Sequence, residues 1–186
     1  MKIWRYQVSD SLAIDAPVEQ VYACASNPET VPAYAPEIVR IEIVRRLSEH
    51  RVLVKSYLKV ALLTRAFLYQ FHYRPPAHYS GVQQGSGLLR GYFRLSFASC
   101  GTGTTVSHTE GILSRVPFVA WVIGFIYFRI VTPRGIRDEL ERLKSLVEKG
   151  FVSDSLATKK EESGHETVQL QNQNERLSVS GNYADN

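Results

Sequence analysis

Hydrophobic and polar positions alternate from the start of the chain, with Trp4, Tyr6 and Val8 set against Arg5 and Gln7. A period of two predicts a strand over 3–14. Asp15-Ala16-Pro17 ends it and opens a helix. Asp15 can accept from free backbone amides, and Pro17 suits a first turn where its missing N–H would be unpaired anyway. Val18, Val21, Tyr22 and Ala25 form the apolar face of that helix. Asn27-Pro28 repeats the punctuation, and Pro32 and Pro36 confine a second helix to about two turns.

Between Glu37 and Leu113 the period of two returns and predicts strands over 37–47, 50–60, 64–74, 78–84, 88–99 and 104–114. Ser48-Glu49-His50, Pro75-Pro76, Gly85-Ser86-Gly87 and Gly101-Thr102-Gly103 separate them as turns. Strands this close in sequence pair antiparallel, because parallel neighbours need long crossovers. The period then lengthens. Ile136, Leu140, Leu143 and Val147 make one helical stripe over 134–149. Thr132 is placed to cap this helix, Pro133 to fill its first turn and Gly150 to stop it, with Asp138–Arg142 pairing on the wet face.

After Gly150 periodicity is lost, and residues 153–186 carry few large apolar groups. Such composition cannot offset the entropy of ordering and predicts a disordered polar tail over 151–186, behind one domain over 1–150. The net charge of +4 divides unevenly, with +7 on residues 1–150 and −3 on the tail. A basic body suits an anionic membrane surface or nucleic acid, or simply a solvated face of Arg-rich strand edges. Cys24 and Cys100 match no metal or redox spacing and read as free thiols of a reducing compartment. Met1–Asp10 lacks a secretory pattern, so a cytoplasmic protein is expected, with peripheral membrane contact as an option.

Val116–Phe128 (VPFVAWVIGFIYF) carries no charge. As a helix it reaches about 20 Å, short of the roughly 30 Å of a bilayer core. Three readings stand: a buried core helix, a segment lining the mouth of a pocket, or shallow insertion at a membrane interface. Trp121 and Tyr127, flanked by Arg115, Arg129 and Arg134, have chemistry suited to the last.

Three segments together resemble the START/SRPBCC superfamily, the helix-grip fold: IDAPVEQVYACASNPETVPAYAPEI, GTGTTVSHTEGI and RGIRDELERLKSLVEKG. The resemblance spans residues 3–150. It implies an α+β fold in which a curved antiparallel sheet of about seven strands wraps one long C-terminal helix. Members include lipid and sterol carriers, coenzyme Q-binding proteins, plant ligand binders and polyketide aromatases/cyclases. They share a cavity between helix and sheet, usually filled by a hydrophobic ligand. The resemblance implies that cavity here and no particular subfamily.

Inward-facing positions on such a sheet are the candidate lining. They are Phe67, Tyr69 and Phe71 on one strand, Phe93, Leu95 and Phe97 on another, and Val106, His108 and Glu110 on the last. Trp121 and Phe125 of the apolar segment, and Ile136, Leu140 and Leu143 of the terminal stripe, complete the set. Gly91, small among large residues, fits a bend or room left for a ligand. His108 and Glu110 share one face of the last strand. Turned inward they are suited to orient a ligand or, as low-ranked catalytic candidates, to move a proton; turned outward they are solvated or satisfied by neighbouring Arg and Tyr side chains. Gln70 and His72 raise the same question less strongly; His50 and His78 read as solvated turn residues.

No metal site is expected, because the chain has no Cys/His cluster, and no cofactor, because it lacks a phosphate loop that opens a helix or a nucleophile elbow. The leading expectation is a binding protein for a lipid, isoprenoid quinone or aromatic compound. A polyketide cyclase/aromatase using His108 or Glu110 is the alternative. A third reading is an RNA- or protein-interaction module resting on Arg45, Arg46, Arg51 and Lys55, but nucleic acid is not expected as a partner, since no RNA-stacking motif is present.

Overall fold

In the computed structural model the described residues are 3–60, 62–131 and 135–150. The expected disordered tail and the capping roles given to Thr132 and Pro133 fall outside them. Seven strands form one sheet: β1 (Trp4–Ile14), β2 (Ile38–Ser48), β3 (Arg51–Val60), β4 (Leu63–Arg74), β5 (His78–Gln83), β6 (Leu89–Cys100) and β7 (Gly103–Ser114). Their spatial order is β1-β7-β6-β5-β4-β3-β2, and every pair is antiparallel. The first strand closes on the last, so β1 and β2 are the two edges.

Among the described residues four α-helices accompany the sheet, α1 (Val18–Ser26), α2 (Val31–Tyr34), α3 (Pro117–Ile126) and α4 (Gly135–Glu148), with a π-helical turn over Tyr127–Val131 continuing α3. α4 packs its apolar stripe against β1 and β7 and against α1 and α2. Ile136, Leu140, Leu143 and Val147 are all buried there. This is the α+β helix-grip architecture. Burying a leucine such as Leu143 contributes roughly 1.5–3 kcal/mol, so the stripe anchors the helix far more firmly than propensity does. Gly150 follows with φ of 77°, the left-handed stop that glycine supplies without a Cβ clash.

Local details differ from the sequence reading for identifiable reasons. Asp15 does not cap α1: Pro17 holds the cap position with no side-chain bond, and the Asp15 amide instead donates to the Glu148 carboxylate at 3.0 Å. The second helix is a single turn. Thr30, whose hydroxyl donates to the carbonyls of Cys24 and Asn27, and Tyr34, whose hydroxyl donates to the Ala25 carbonyl, tie it back onto α1. The i,i+4 ion pairs on α4 are Arg137–Glu141 at 3.1 Å and Lys144–Glu148 at 3.4 Å, in place of Asp138–Arg142. Arg137 also meets Asp10 and the Ser11 carbonyl of β1, which ties this face of α4 to the sheet edge.

Candidate functional site

Register decides which side chains meet inside the grip. On β7, His108 lies opposite Leu95 of β6 and Asp10 of β1, and Glu110 opposite Phe93 and Val8. Residues directly opposite across antiparallel strands share a face, so both point toward the helices together with the β6 aromatics. Above them α4 presents Glu139, three residues after Ile136 and one before Leu140, inside its own apolar stripe. The Glu139 carboxylate stands 3.3 Å from His108 Nδ1, and that of Glu110 stands 3.6 Å from Nε2. His108 is only 3% exposed, Glu139 is buried beside it, and His108 Nε2 is buried without a hydrogen-bond partner.

Burial dictates the charge state of this unit. It lowers His108 from 6.5 to about 4, since an imidazolium would lose its hydration. The same desolvation, and then the charge of Glu37, raises Glu110 to about 7. Glu139 is pushed well above the ordinary carboxylate range by burial first, then by Glu110 and Glu37, and by a hydrogen bond with Glu37 that favours its protonated form. The interior therefore favours an uncharged imidazole between a protonated Glu139 and a Glu110 that exchanges its proton near neutrality. Such a chain can donate to or accept from a polar group of a ligand, and can relay a proton.

Ligand atoms of His108, Glu110 and Glu139 lie within 4.8 Å of one another, close enough to be tested as a metal site. The donor set fits poorly. The two carboxylates address opposite ring nitrogens, so a single ion on either nitrogen would meet only one of them.

The apolar residues around the unit fall into two zones. Phe71, Leu95, Phe97, Val106, Leu140 and Leu143 are buried, with Ile136 at their margin. Phe97 packs edge-on against Tyr22 of α1, so this end is closed by helices. Phe67, Tyr69 and Phe93 are half-buried, so solvent still reaches the other end of the inner face. A ring cluster joins the zones: Phe71 meets Phe93 at 5.3 Å and Tyr79 at 5.4 Å between centroids. It exists because β5 offers Gly81 beneath it, where any Cβ would collide with the Phe71 and Phe93 rings. The room expected over Gly91 is taken by the Tyr69 hydroxyl, 3.1 Å from where a Cβ would stand.

Trp121 and Phe125 stand apart from the rest of the candidate lining. They lie on the solvent side of α3, 58% and 41% exposed, and stack on each other at 5.7 Å. Buried Ala120 and Phe128 face the protein instead, and Gly124 lies directly on the Tyr6 ring. Reading 116–128 as uniformly apolar concealed this division. Glu139 and Glu37 were missed altogether. The one signal available was a carboxylate at an in-stripe position of the last helix, where a water-facing residue has no place.

This fold, with a polar unit buried beneath an aromatic inner face, defines a helix-grip protein of the START type. The chain belongs to the family described as polyketide cyclase / dehydrase and lipid transport, whose model matches residues 5–148. Among solved structures it is similar to the Zhui aromatase/cyclase from Streptomyces sp. R1128, with 13% identity, 80% of this chain and 97% of that one covered, and a TM-score of 0.65. It is also similar to a START superfamily protein from Mycobacterium smegmatis, with 15% identity, 77% and 97% coverage, and a TM-score of 0.61. A protein from Thermus thermophilus shows 19% identity, 77% and 98% coverage, and a TM-score of 0.62. At these identities the likeness concerns the fold alone. No curated protein matches the chain.

Proposed function

We propose that the protein binds a hydrophobic small molecule, a lipid, isoprenoid quinone or aromatic compound, between the inner face of the sheet and α4. Its polar end would meet His108, Glu110 and Glu139. The observation that carries this reading is the buried His108 Nε2, which has no hydrogen-bond partner and stands 3.6 Å from the Glu110 carboxylate beneath an aromatic inner face. A buried polar atom without a partner is destabilising, and a ligand hydroxyl or carbonyl would complete it. Half-buried Phe67, Tyr69 and Phe93 offer apolar surface on the solvent-reached side, worth roughly 25 cal/mol per Å² covered. The family's lipid-transport members support the same ligand class.

Extraction of the gently purified protein with organic solvent, followed by mass spectrometry, tests this. A stoichiometric apolar compound is expected from the wild type and a depleted yield from His108→Leu. A clean extract, together with no uptake of added quinone or fatty acid, would refute the reading.

A second reading, cyclisation of a polyketide-like chain, is favoured by Glu110. Its carboxyl, raised to about 7, is poised to exchange a proton near neutrality beside an uncharged His108. Turnover of a polyketide mimic, abolished by Glu110→Gln while ligand uptake persists, would establish it.

The exposed side of α3 supplies the route for loading. Phe118, Trp121, Phe125 and Ile126 are exposed, and Arg115 and Arg129 flank the segment. Among the described residues no helix is long and apolar enough to cross a membrane, so the proposed contact is shallow insertion at an interface.

A further inference from the structure

The outer face of the sheet carries a second organised site. Arg51, His72, Ser80 and Arg94 are directly opposite one another on β3, β4, β5 and β6, forming one row across four strands. Two residues along, Arg74, His78 and Ser96 form a parallel row on β4, β5 and β6. With strands about 4.8 Å apart, Arg51 and Arg94 are roughly 14 Å apart at the backbone, a gap their long side chains narrow. The rows, with Ser48 and His50 from the β2–β3 turn, enclose a cleft of about 550 Å³. Arg51, Arg74 and Arg94 stand around it, and no carboxylate lines it.

The charges in this cleft are unbalanced. Among the described residues no ion pair involves Arg51, Arg74 or Arg94. Elsewhere, Arg40 pairs with Glu42 at 2.9 Å and lies over the Tyr57 ring, and Arg137 meets two carboxylates. In the cleft, hydroxyls alone orient the guanidiniums: Arg51 Nε donates to Ser48 Oγ at 3.4 Å and Arg94 Nε to Ser96 Oγ at 3.2 Å. The two imidazoles feel the crowding. After burial, Arg51 and Arg74 lower the basicity of His72, and Arg94, Arg74 and His72 lower that of His78. The three guanidiniums are exposed and keep their hydration, so an anion entering the cleft would meet positive charge that no carboxylate of the lining neutralises.

We propose that this cleft binds a phosphate group carrying two or more negative charges, a phosphate monoester or diphosphate. Forked guanidinium donors match the oxygens of such a group, and Ser80, His72 and His78 offer further hydrogen bonds from the floor. Its volume of about 550 Å³ suits one or two phosphates. The site is on the opposite face of the sheet from His108 and is independent of what the interior binds.

The test is calorimetry with inorganic pyrophosphate at physiological ionic strength, alongside flotation on phosphatidylcholine vesicles containing phosphatidic acid or an equal charge of phosphatidylserine. Saturable pyrophosphate binding is expected, about tenfold weaker in each of Arg74→Gln and Arg94→Gln, from the loss of one charge-assisted hydrogen bond, and unchanged in Arg142→Gln on α4. All three positions are exposed, and circular dichroism checks that the variants are folded. Flotation that prefers phosphatidic acid and is lost in the same two variants assigns the phosphate to a lipid headgroup; pyrophosphate binding without it assigns a soluble ester. Absence of saturable binding by both probes, or binding that survives both substitutions, overturns the proposal. So does much tighter binding of a single-stranded RNA oligonucleotide than of pyrophosphate, which would make the cleft part of a polymer track.

Discussion

His108, Glu110 and Glu139 show how burial sets chemistry one residue at a time. The sign of each shift makes the unit's pH dependence testable. A carboxyl whose folded pKa is raised stabilises the fold fully below its ordinary value of 4.5 and loses that share as pH rises through its folded value. For Glu110 that value is about 7. His108, lowered to about 4, acts in the opposite sense, stabilising above 6.5 and losing its share only as pH falls toward 4. Near pH 7 the buried carboxyls lower the urea midpoint as pH rises, against the fading opposite contribution of the lowered histidines. The wild type should therefore fall more steeply there than a variant lacking Glu110. Glu110→Gln, which cannot ionise, should flatten the part of the fall near pH 7. An unchanged slope in that variant would show that Glu110 is an ordinary solvated acid.

Among elements, α4 is the one on which the grip depends. Leu143 is fully buried where α4 packs on the body, and Leu143→Ala should destabilise the protein by about 2–5 kcal/mol in denaturant titrations. A loss below 1 kcal/mol would mean that the helix is loosely seated. The seat of α3 is narrower. Gly124 meets the Tyr6 ring with no space for a Cβ, so Gly124→Val should push the helix off β1, costing about 1–3 kcal/mol and raising the fluorescence anisotropy decay rate of Trp121. The ion pairs of α4 show what sequence leaves open within an element. Asp138–Arg142 and Arg137–Glu141 have the same spacing, yet only the second closes, and its Arg137 also reaches Asp10 of β1.

For the whole molecule, two exposed faces lie away from His108: the aromatic side of α3 and the basic rows of the sheet. If α3 loads ligand from membranes, Phe118→Ser with Trp121→Ser should abolish binding to anionic vesicles while leaving the thermal midpoint within about 2 °C, because both side chains are exposed. Retained binding would remove α3 from the loading route. His50 and His78 illustrate why the basic cleft was not legible. Each reads as a solvated turn residue by its neighbours in sequence, and each gains its setting from strands far along the chain.

The amino-acid sequence by itself determined the strand phases, the long terminal stripe and the helix-grip family, because the period of two or 3.6 is a local property of the backbone. It thereby placed Phe93 with Leu95 on one face of β6, and His108 with Glu110 on one face of β7; that the two faces coincide came from the register between the strands. Tertiary structure alone decided that Glu139 closes over His108, that Trp121 and Phe125 face solvent, and that three arginines share one cleft. Those facts depend on which distant faces meet, as when Ser9 bonds Thr109 at 2.8 Å across 100 residues of chain. No periodicity encodes a meeting of that kind.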